Sequence, residues 1–139
     1  MSGGFDPHYS EKIYRLPECF FCFDYRGYEY PDVVDPPSLA KGYITFGCFG
    51  FGGKLNREQL RIWADLLHQI PTSRLHLQNI QLRNERGRRF FTERFRTFGI
   101  EPNRLVLAHG VDRQALLKVY GDIDVSLDTW PYCGGNTIA

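Results

Sequence analysis

The chain has 139 residues, of which 42% are hydrophobic and 24% are charged, and its formal net charge is +1. This length and composition are ordinary for a single globular domain with a buried core. The near-neutral charge gives no global reason to expect nucleic acid or an anionic membrane as a partner. No stretch approaches the roughly 18 apolar residues that a membrane span needs, and the first four residues do not open a signal peptide. Together these features predict a cytoplasmic protein.

Residues 1–42 are rich in aromatic side chains and proline and show no helical period. Within them, residues 16–25 could form one strand, and residues 24–37 are predicted to be an irregular connector. The whole segment is therefore interpreted as a connector that precedes a regular domain at residues 43–139.

Four cysteines are present, two of them in the motif Cys19-x-x-Cys22. This spacing is compatible with a zinc or redox pair, but a zinc site needs a second pair of ligands at a suitable spacing. Neither Cys48 nor Cys133 has a close partner that provides one. The aromatic residues around the motif favour buried free thiols, and no metal is expected.

Strands and helices alternate regularly after the connector. Asn56 and Asp112 are cap residues, Phe91 and Phe95 lie at helical spacing, and Gly99 marks a helix end. This alternation indicates βαβ units and a parallel sheet, so the predicted fold class is α/β and Rossmann-like. The predicted strands are residues 43–49, 74–78, 104–108 and 123–127, and the predicted helices are residues 56–69, 86–98 and 112–120.

Two sequence features suggest RNA binding and ATP hydrolysis, but the residues around them argue against both functions. The arginine-rich stretch at residues 83–96 suggests RNA, but its phenylalanines recur at helical spacing and two glutamates interrupt the charge. An amphipathic helix with a solvated arginine face is therefore favoured. The glycine-rich loop at residues 50–53 lacks the serine or threonine that a P-loop requires after Lys54, which excludes that class of ATP hydrolysis.

The predicted topology brings a lysine and a glycine turn to one edge of the sheet. In a doubly wound sheet the expected strand order is 3-2-1-4, and ligands bind beyond the carboxyl ends of the strands where the winding reverses. Lys54 follows the first strand, and the turn Gly134-Gly135-Asn136-Thr137 follows the fourth. Backbone N–H groups at such a turn bind anions, and a lysine beside them suits a diphosphate.

The amino-acid sequence of this turn and of the strand before it resembles that of the O-GlcNAc transferase family, including its bacterial relatives. The residues that carry the resemblance are Leu127-Asp128-Thr129-Trp130-Pro131-Tyr132 followed by Gly134-Gly135-Asn136-Thr137. Further matches lie upstream in the same order along the chain, so the resemblance covers nearly the whole sequence. They are Tyr9-Ser10-Glu11-Lys12-Ile13, Arg15-Leu16-Pro17, Thr45-Phe46-Gly47 with Phe49 and Lys54, Ser73-Arg74-Leu75, Phe98-Gly99-Ile100 and Arg104-Leu105.

The resemblance implies a GT-B type glycosyltransferase that moves N-acetylglucosamine from UDP to serine or threonine hydroxyls of proteins. It implies that Lys54 holds the donor phosphates and stabilises the departing nucleotide diphosphate. It further implies that Gly110, Val111 and Arg113 lie against the uracil ring. No cofactor and no metal are implied, because the nucleotide sugar is itself the donor. A protein acceptor is the implied partner, held by upstream tetratricopeptide-like repeats. His109 is given no proton-transfer role.

The resemblance also implies that the sequence is a fragment. Residues 1–42 are expected to lead from a missing N-terminal catalytic half, and residues 43–139 to form a donor-binding domain that is incomplete at its C-terminus. The helix that starts at Thr137 is expected to be unfinished, and the acidic residue that binds the donor ribose is expected beyond it. Fragment status predicts that this chain alone is inactive.

Three positions depart from the family pattern and keep other functions open. The loop at residues 50–53 has glycines and Phe51 where asparagine or glutamine is usual. Leu116 stands where some members place a histidine, and Asn136 replaces a threonine. One alternative is a related transferase that uses another nucleotide sugar, of fucose or glucose. The other is a non-catalytic remnant that binds nucleotide weakly or only contacts partners.

Overall fold

A four-stranded parallel sheet organises the chain in the computed structural model, which describes residues 6–17, 26 and 29–135. The strands are β1 (Thr45–Cys48), β2 (Arg74–Asn79), β3 (Leu105–His109) and β4 (Val125–Ser126). Their order is β3-β2-β1-β4, and every pairing is parallel. The predicted α/β class, strand order and parallel pairing are therefore confirmed.

The predicted helices are present with small shifts at their ends. Asn56 accepts from the backbone N–H of Gln59 at 2.8 Å, and Asp112 accepts from that of Ala115 at 2.9 Å, so both predicted caps form. Gly99 has φ 77°, a left-handed conformation suited to glycine after a helix end. The helices are α1 (Pro37–Lys41), α2 (Arg57–Gln69), α3 (Glu85–Arg96) and α4 (Arg113–Val119), with short 3-10 helices at Asp6–His8, Gly52–Lys54, Ile80–Arg83, Pro102–Arg104 and Tyr120–Asp122.

The main core lies between one face of the sheet and the helices α2 and α3. Leu75 and Leu77 of β2 are fully buried there, together with Leu67 of α2 and Phe95 of α3. The arginines at positions 86, 88, 89 and 96 of α3 are exposed, as predicted for a solvated arginine face. These two amphipathic helices explain why the sheet forms, since each needs a surface on which to bury its apolar side.

The opposite face of the sheet is more polar, with His76 and Gln78 of β2 buried on it. Phe49 lies edge-on to His76 of β2, with ring centroids 5.6 Å apart, and to Tyr120, with centroids 4.8 Å apart. Burial lowers the pKa of His76, against the raising influence of Asp122 and of a hydrogen bond with Gln78. The imidazole is therefore held in its neutral form, which a poorly solvated sheet face favours.

Three expectations about the strands and connector need correction. The fourth strand is two residues long instead of residues 123–127, although backbone bonds from Asp124 to Thr45 and from Leu127 to Gly47 continue along β1. Within the connector, α1 was not predicted. Residues 16 and 17 are not in a strand, and the rest of the expected strand at residues 16–25 lies outside the described residues.

The side chain of Asp124 explains how α1 is placed. Its carboxylate accepts from the backbone N–H of Ser38 at 2.9 Å and from that of Thr45 at 2.8 Å. One acidic residue at the start of β4 therefore fixes both α1 and the start of β1. Cys48 is a buried free thiol and Cys133 an exposed one, whereas Cys19 and Cys22 lie outside the described residues. No helix in the described part of the chain is long and apolar enough to cross a membrane.

Candidate functional site

The segment that follows β4, residues 128–135, is a closed turn, called here the β4 turn. Asp128 closes it, because Oδ1 accepts from the backbone N–H of Thr129 at 2.7 Å and from that of Gly134 at 2.8 Å. The hydroxyl of Thr129 donates to the carbonyl of Tyr132 at 2.6 Å. These bonds fix both ends and the middle of the turn, so its conformation is determined by its own side chains.

Helix α2 is joined to the β4 turn by a hydrogen bond. The side-chain carbonyl of Gln59, a buried residue, accepts from the backbone N–H of Trp130 at 2.9 Å. The peptide bond between Trp130 and Pro131 is cis. Gln59 lies in the first turn of α2, three residues after the cap residue Asn56. The start of α2 therefore also fixes the position of the β4 turn.

Lys54 lies directly against the β4 turn. Its Nζ donates to the carbonyl oxygen of Cys133 at 3.0 Å and stands 4.3 Å from the centroid of the Tyr132 ring. Lys54 is the last residue of the 3-10 helix Gly52–Lys54, which places its side chain beside the turn. Lys54 as a whole is half-buried.

The glycines before Lys54 lie close to two neighbouring side chains. A Cβ atom at Gly53 would lie 2.4 Å from the Phe51 ring, and one at Gly52 would lie 2.9 Å from the side-chain oxygen of Gln81. That oxygen also accepts from the backbone N–H of Gly52 at 3.3 Å. The glycine loop is therefore packed against Phe51 on one side and Gln81 on the other.

The carboxylate of Asp128 stays ionised at neutral pH. Partial desolvation opposes its ionisation, but hydrogen bonds from the N–H groups of Gly134 and Thr129, the thiol of Cys133 and the charge of Lys54 outweigh it, so its pKa is lowered. Asp128 and Lys54 nevertheless form no ion pair within the described residues. Among the described residues, the ammonium group of Lys54 instead contacts two uncharged groups, the carbonyl of Cys133 and the ring of Tyr132.

A second concave region lies beside the glycine loop. It is a cavity of about 190 Å³. Gly110 lies in its wall and is tied to β2 by a bond from its N–H to the carbonyl of Asn79 at 2.9 Å. The amide nitrogen Nδ2 of Asn79 is buried and has no hydrogen-bond partner among the described residues. The lining residues are Phe49, Gly50, Phe51, Gln78, Asn79, Ile80, Gly110, Val111 and Leu116.

The structure separates the predicted site residues into two groups. Lys54 contacts Cys133 in the β4 turn, which also contains Gly134 and Gly135, whereas Gly110 and Val111 line the cavity. Gly50 and Phe51 connect the groups, because they line the cavity and lead into the 3-10 helix of Lys54. Arg113 is half-buried at the start of α4 and is not among the described residues that line the cavity. Asn136 and Thr137 lie outside the described residues.

Three residues of the site were given no role of their own from the sequence. Asp128 and Tyr132 lie in the motif that carries the family resemblance, whereas Gln59 carried no sequence signal. In the structure Asp128 closes the turn, Gln59 anchors it and Tyr132 contacts Lys54. His109, which was given no proton-transfer role, is exposed, and its Nδ1 lies 2.8 Å from the carbonyl oxygen of Gly110. No group of three or more metal-ligating side chains occurs in the part of the chain that the structure describes.

The geometry presents one cation and one turn at the carboxyl edge of a parallel sheet, beside a small cavity. A lysine at the edge of such a turn suits a ligand with concentrated negative charge, such as a phosphate group. The cavity next to it is bordered by apolar side chains and by the amides of Gln78 and Asn79, which suits a planar group with polar edges.

Comparison with known proteins gives relatives over most of the chain, although no family model matches it. The Arabidopsis thaliana protein SPINDLY, named as a probable UDP-N-acetylglucosamine–peptide N-acetylglucosaminyltransferase, is 32% identical over 91% of this chain. The Arabidopsis thaliana protein SEC, with the same activity in its name, is 30% identical over 93% of this chain. In both cases the chain spans 14% of the relative's length.

A solved structure of similar fold comes from a bacterium. It is that of an O-GlcNAc transferase mutant from Thermobaculum terrenum, with a TM-score of 0.67 and 35% sequence identity. The match covers 69% of this chain and 18% of that one. The relatives found by sequence and the relative found by structure are therefore all named as N-acetylglucosamine transferases.

Proposed function

Because this chain is a homologue of one segment of the O-GlcNAc transferase family, we propose that it binds the nucleotide-diphosphate part of a nucleotide sugar. In this proposal Lys54 is the catalytic residue that stabilises the departing diphosphate. Gly134, Gly135, Asn136 and Thr137 bind the phosphates. Gly110, Val111 and Arg113 border the nucleobase.

The observation that carries this proposal is the contact between Lys54 and the β4 turn. When a sugar leaves its donor, negative charge develops on the terminal phosphate, and a cation already fixed beside it stabilises that charge without further rearrangement. The ammonium of Lys54 stands at the edge of a turn that Asp128 and Gln59 hold in place. The cavity lined by Gly50 and Phe51 is next to it, and in this proposal it receives the nucleobase that is linked to the diphosphate.

The activity of a whole protein that contains this segment is a further part of the proposal. We infer transfer of N-acetylglucosamine from UDP to serine or threonine hydroxyls, which agrees with the names of the relatives. Residues 1–42 serve as a connector to a catalytic half, and residues 43–139 form the donor-binding domain. Tetratricopeptide-like repeats upstream hold the protein acceptor, and the reaction takes place in the cytoplasm.

The test is the affinity of the 139-residue chain for UDP, measured by calorimetry. Lys54→Met should weaken UDP binding about 10- to 100-fold, because it removes a charge-assisted hydrogen bond worth about 1.5–3 kcal/mol. Uridine, which has no phosphate, should bind both proteins equally. Lys118→Met is the matched control, since this exposed lysine lies in the last turn of α4. Equal UDP affinity of Lys54→Met and the unsubstituted chain contradicts the phosphate role.

A further inference from the structure

We propose that Tyr132 is a positioning residue, whose ring holds the Lys54 ammonium at the edge of the β4 turn before a diphosphate binds. The inference rests on the proposed function, because it assumes that Lys54 meets a phosphate. It adds a residue that acts through the lysine and not by touching the ligand.

The contact joins two segments that are far apart in the sequence. The Nζ of Lys54 lies 4.3 Å from the centroid of the Tyr132 ring, within the range of a cation–π interaction. The same Nζ donates to the carbonyl of Cys133, the next residue, at 3.0 Å. An ammonium group has three N–H donors, and this carbonyl occupies one of them, so donors remain for phosphate oxygens.

The neutral character of these two partners is what makes them suitable. A carboxylate in contact with Lys54 would neutralise the charge that the phosphate requires. The nearby carboxylate, Asp128, instead accepts the backbone N–H groups of Thr129 and Gly134. An aromatic face and a carbonyl thus fix the lysine in place while its charge remains available.

The exposure of Tyr132 argues against a role in the core. Its side chain is 73% exposed, so the ring is not needed to fill the protein interior. A free lysine side chain loses rotamer freedom when it is fixed by a ligand, and a contact that fixes it beforehand removes part of that loss from the binding step. The ring therefore raises affinity through preorganisation.

The experiment measures UDP affinity by calorimetry for five versions of the 139-residue chain: the unsubstituted chain, Tyr132→Leu, Tyr132→Phe, Lys54→Met, and Lys54→Met combined with Tyr132→Leu. Tyr132→Leu should weaken binding about two- to five-fold, which corresponds to the 0.5–1 kcal/mol of an exposed cation–π contact. Tyr132→Phe keeps the aromatic face and should bind within about two-fold of the unsubstituted chain. In a Lys54→Met background, Tyr132→Leu should cause no further loss, because the residue through which it acts is gone.

A ligand-free measurement tests the contact itself. The chain has four lysines, so the ε-methylene signals of lysine can be resolved by NMR after isotope labelling. The signal of Lys54 should be shielded by the ring in the unsubstituted chain and in Tyr132→Phe, and should lose that shift in Tyr132→Leu.

The outcomes separate this inference from the proposed function. If Lys54→Met weakens UDP binding and Tyr132→Leu does not, the positioning role is wrong and the proposed function stands. An equal loss on Tyr132→Leu with and without Lys54 also overturns the role, since the ring then acts on the ligand or on the fold. If Lys54→Met leaves UDP affinity unchanged, or the unsubstituted chain does not respond to UDP, both proposals are wrong.

Discussion

At the scale of single residues, Asp128 sets the shape of the β4 turn. It accepts two backbone N–H groups with one oxygen, and its pKa is lowered because these bonds, the Cys133 thiol and Lys54 together outweigh partial desolvation. The carboxylate therefore acts as a structural anion within the turn. This role explains why an acidic residue is compatible with a site proposed to bind phosphate.

The lowered pKa of Asp128 predicts a pH dependence of stability. Since the folded-state pKa lies below the ordinary value of 3.8, the stabilisation is complete above that value and is lost as the pH falls through the folded-state pKa. Asp128→Asn keeps the side-chain oxygen and removes the charge. The difference in unfolding free energy between the unsubstituted chain and this variant should be largest at neutral pH and decrease below pH 3.8. A difference that stays constant through this acid range contradicts the prediction; urea unfolding at several pH values measures it.

At the scale of secondary-structure elements, the 3-10 helix Ile80–Arg83 connects the glycine loop before Lys54 to α3. Gln81 accepts from the N–H of Gly52 through its side chain, and its backbone carbonyl faces Gly87 of α3. The first turn of α3 therefore packs directly against the 3-10 helix Ile80–Arg83. Close approach of the two backbones requires a residue without a Cβ atom.

Gly87→Ala tests this close approach. The new Cβ would lie 1.9 Å from the backbone carbonyl oxygen of Gln81, which cannot rotate away as a side chain can. We expect a loss of about 1–3 kcal/mol in unfolding free energy, although alanine is intrinsically about 1 kcal/mol better than glycine within a helix. Gly121→Ala is the control, because its Cβ would lie 3.4 Å from a methyl group of Val34. A stabilising Gly87→Ala in denaturant titrations contradicts the close approach.

Gln59→Leu tests the attachment of the β4 turn to α2. The substitution removes the acceptor of the Trp130 N–H and should reduce the unfolding free energy by about 1 kcal/mol, the net value of one hydrogen bond. The amide proton of Trp130 should also exchange faster with solvent. Gln69→Leu, at an exposed position of the same helix, is the matched control. Unchanged exchange at Trp130 contradicts the attachment.

At the scale of the whole molecule, the described residues provide one wall of the proposed donor site. Lys54 and the β4 turn lie at the carboxyl edge of the sheet, and the cavity lined by Gly110 and Val111 lies next to them. The chain spans 14% of the length of the relatives SPINDLY and SEC. Sugar transfer requires donor and acceptor to be held together in a productive orientation, to which one wall contributes only a part.

We therefore expect the 139-residue chain to bind UDP without transferring sugar. Incubation with UDP-N-acetylglucosamine and a serine-containing peptide should give no glycosylated product by mass spectrometry. A full-length O-GlcNAc transferase assayed in parallel is the positive control. Product that forms with the unsubstituted chain and disappears in Lys54→Met would show that this segment carries the complete catalytic machinery.

The sequence by itself determined the regular part of the fold and the position of Lys54. Asn56 and Asp112 cap helices through bonds to residues three positions ahead, so their signal is local and readable. The strand order follows from the rules of doubly wound sheets, and those rules bring the ends of β1 and β4 together. Family motifs added the expected roles of Lys54 and the glycine turn.

Only the tertiary structure decided how the site is held. Gln59 meets Trp130 across 71 positions of sequence, and Lys54 meets Cys133 across 79. Neither pairing is marked by a local pattern, because a glutamine in a helix and a backbone carbonyl in a turn have many ordinary roles. The positions of α1 and of the start of β1 likewise depend on Asp124, whose carboxylate accepts hydrogen bonds from residues 86 and 79 positions away. Such long-range polar contacts are specified by the packed fold and not by neighbouring residues.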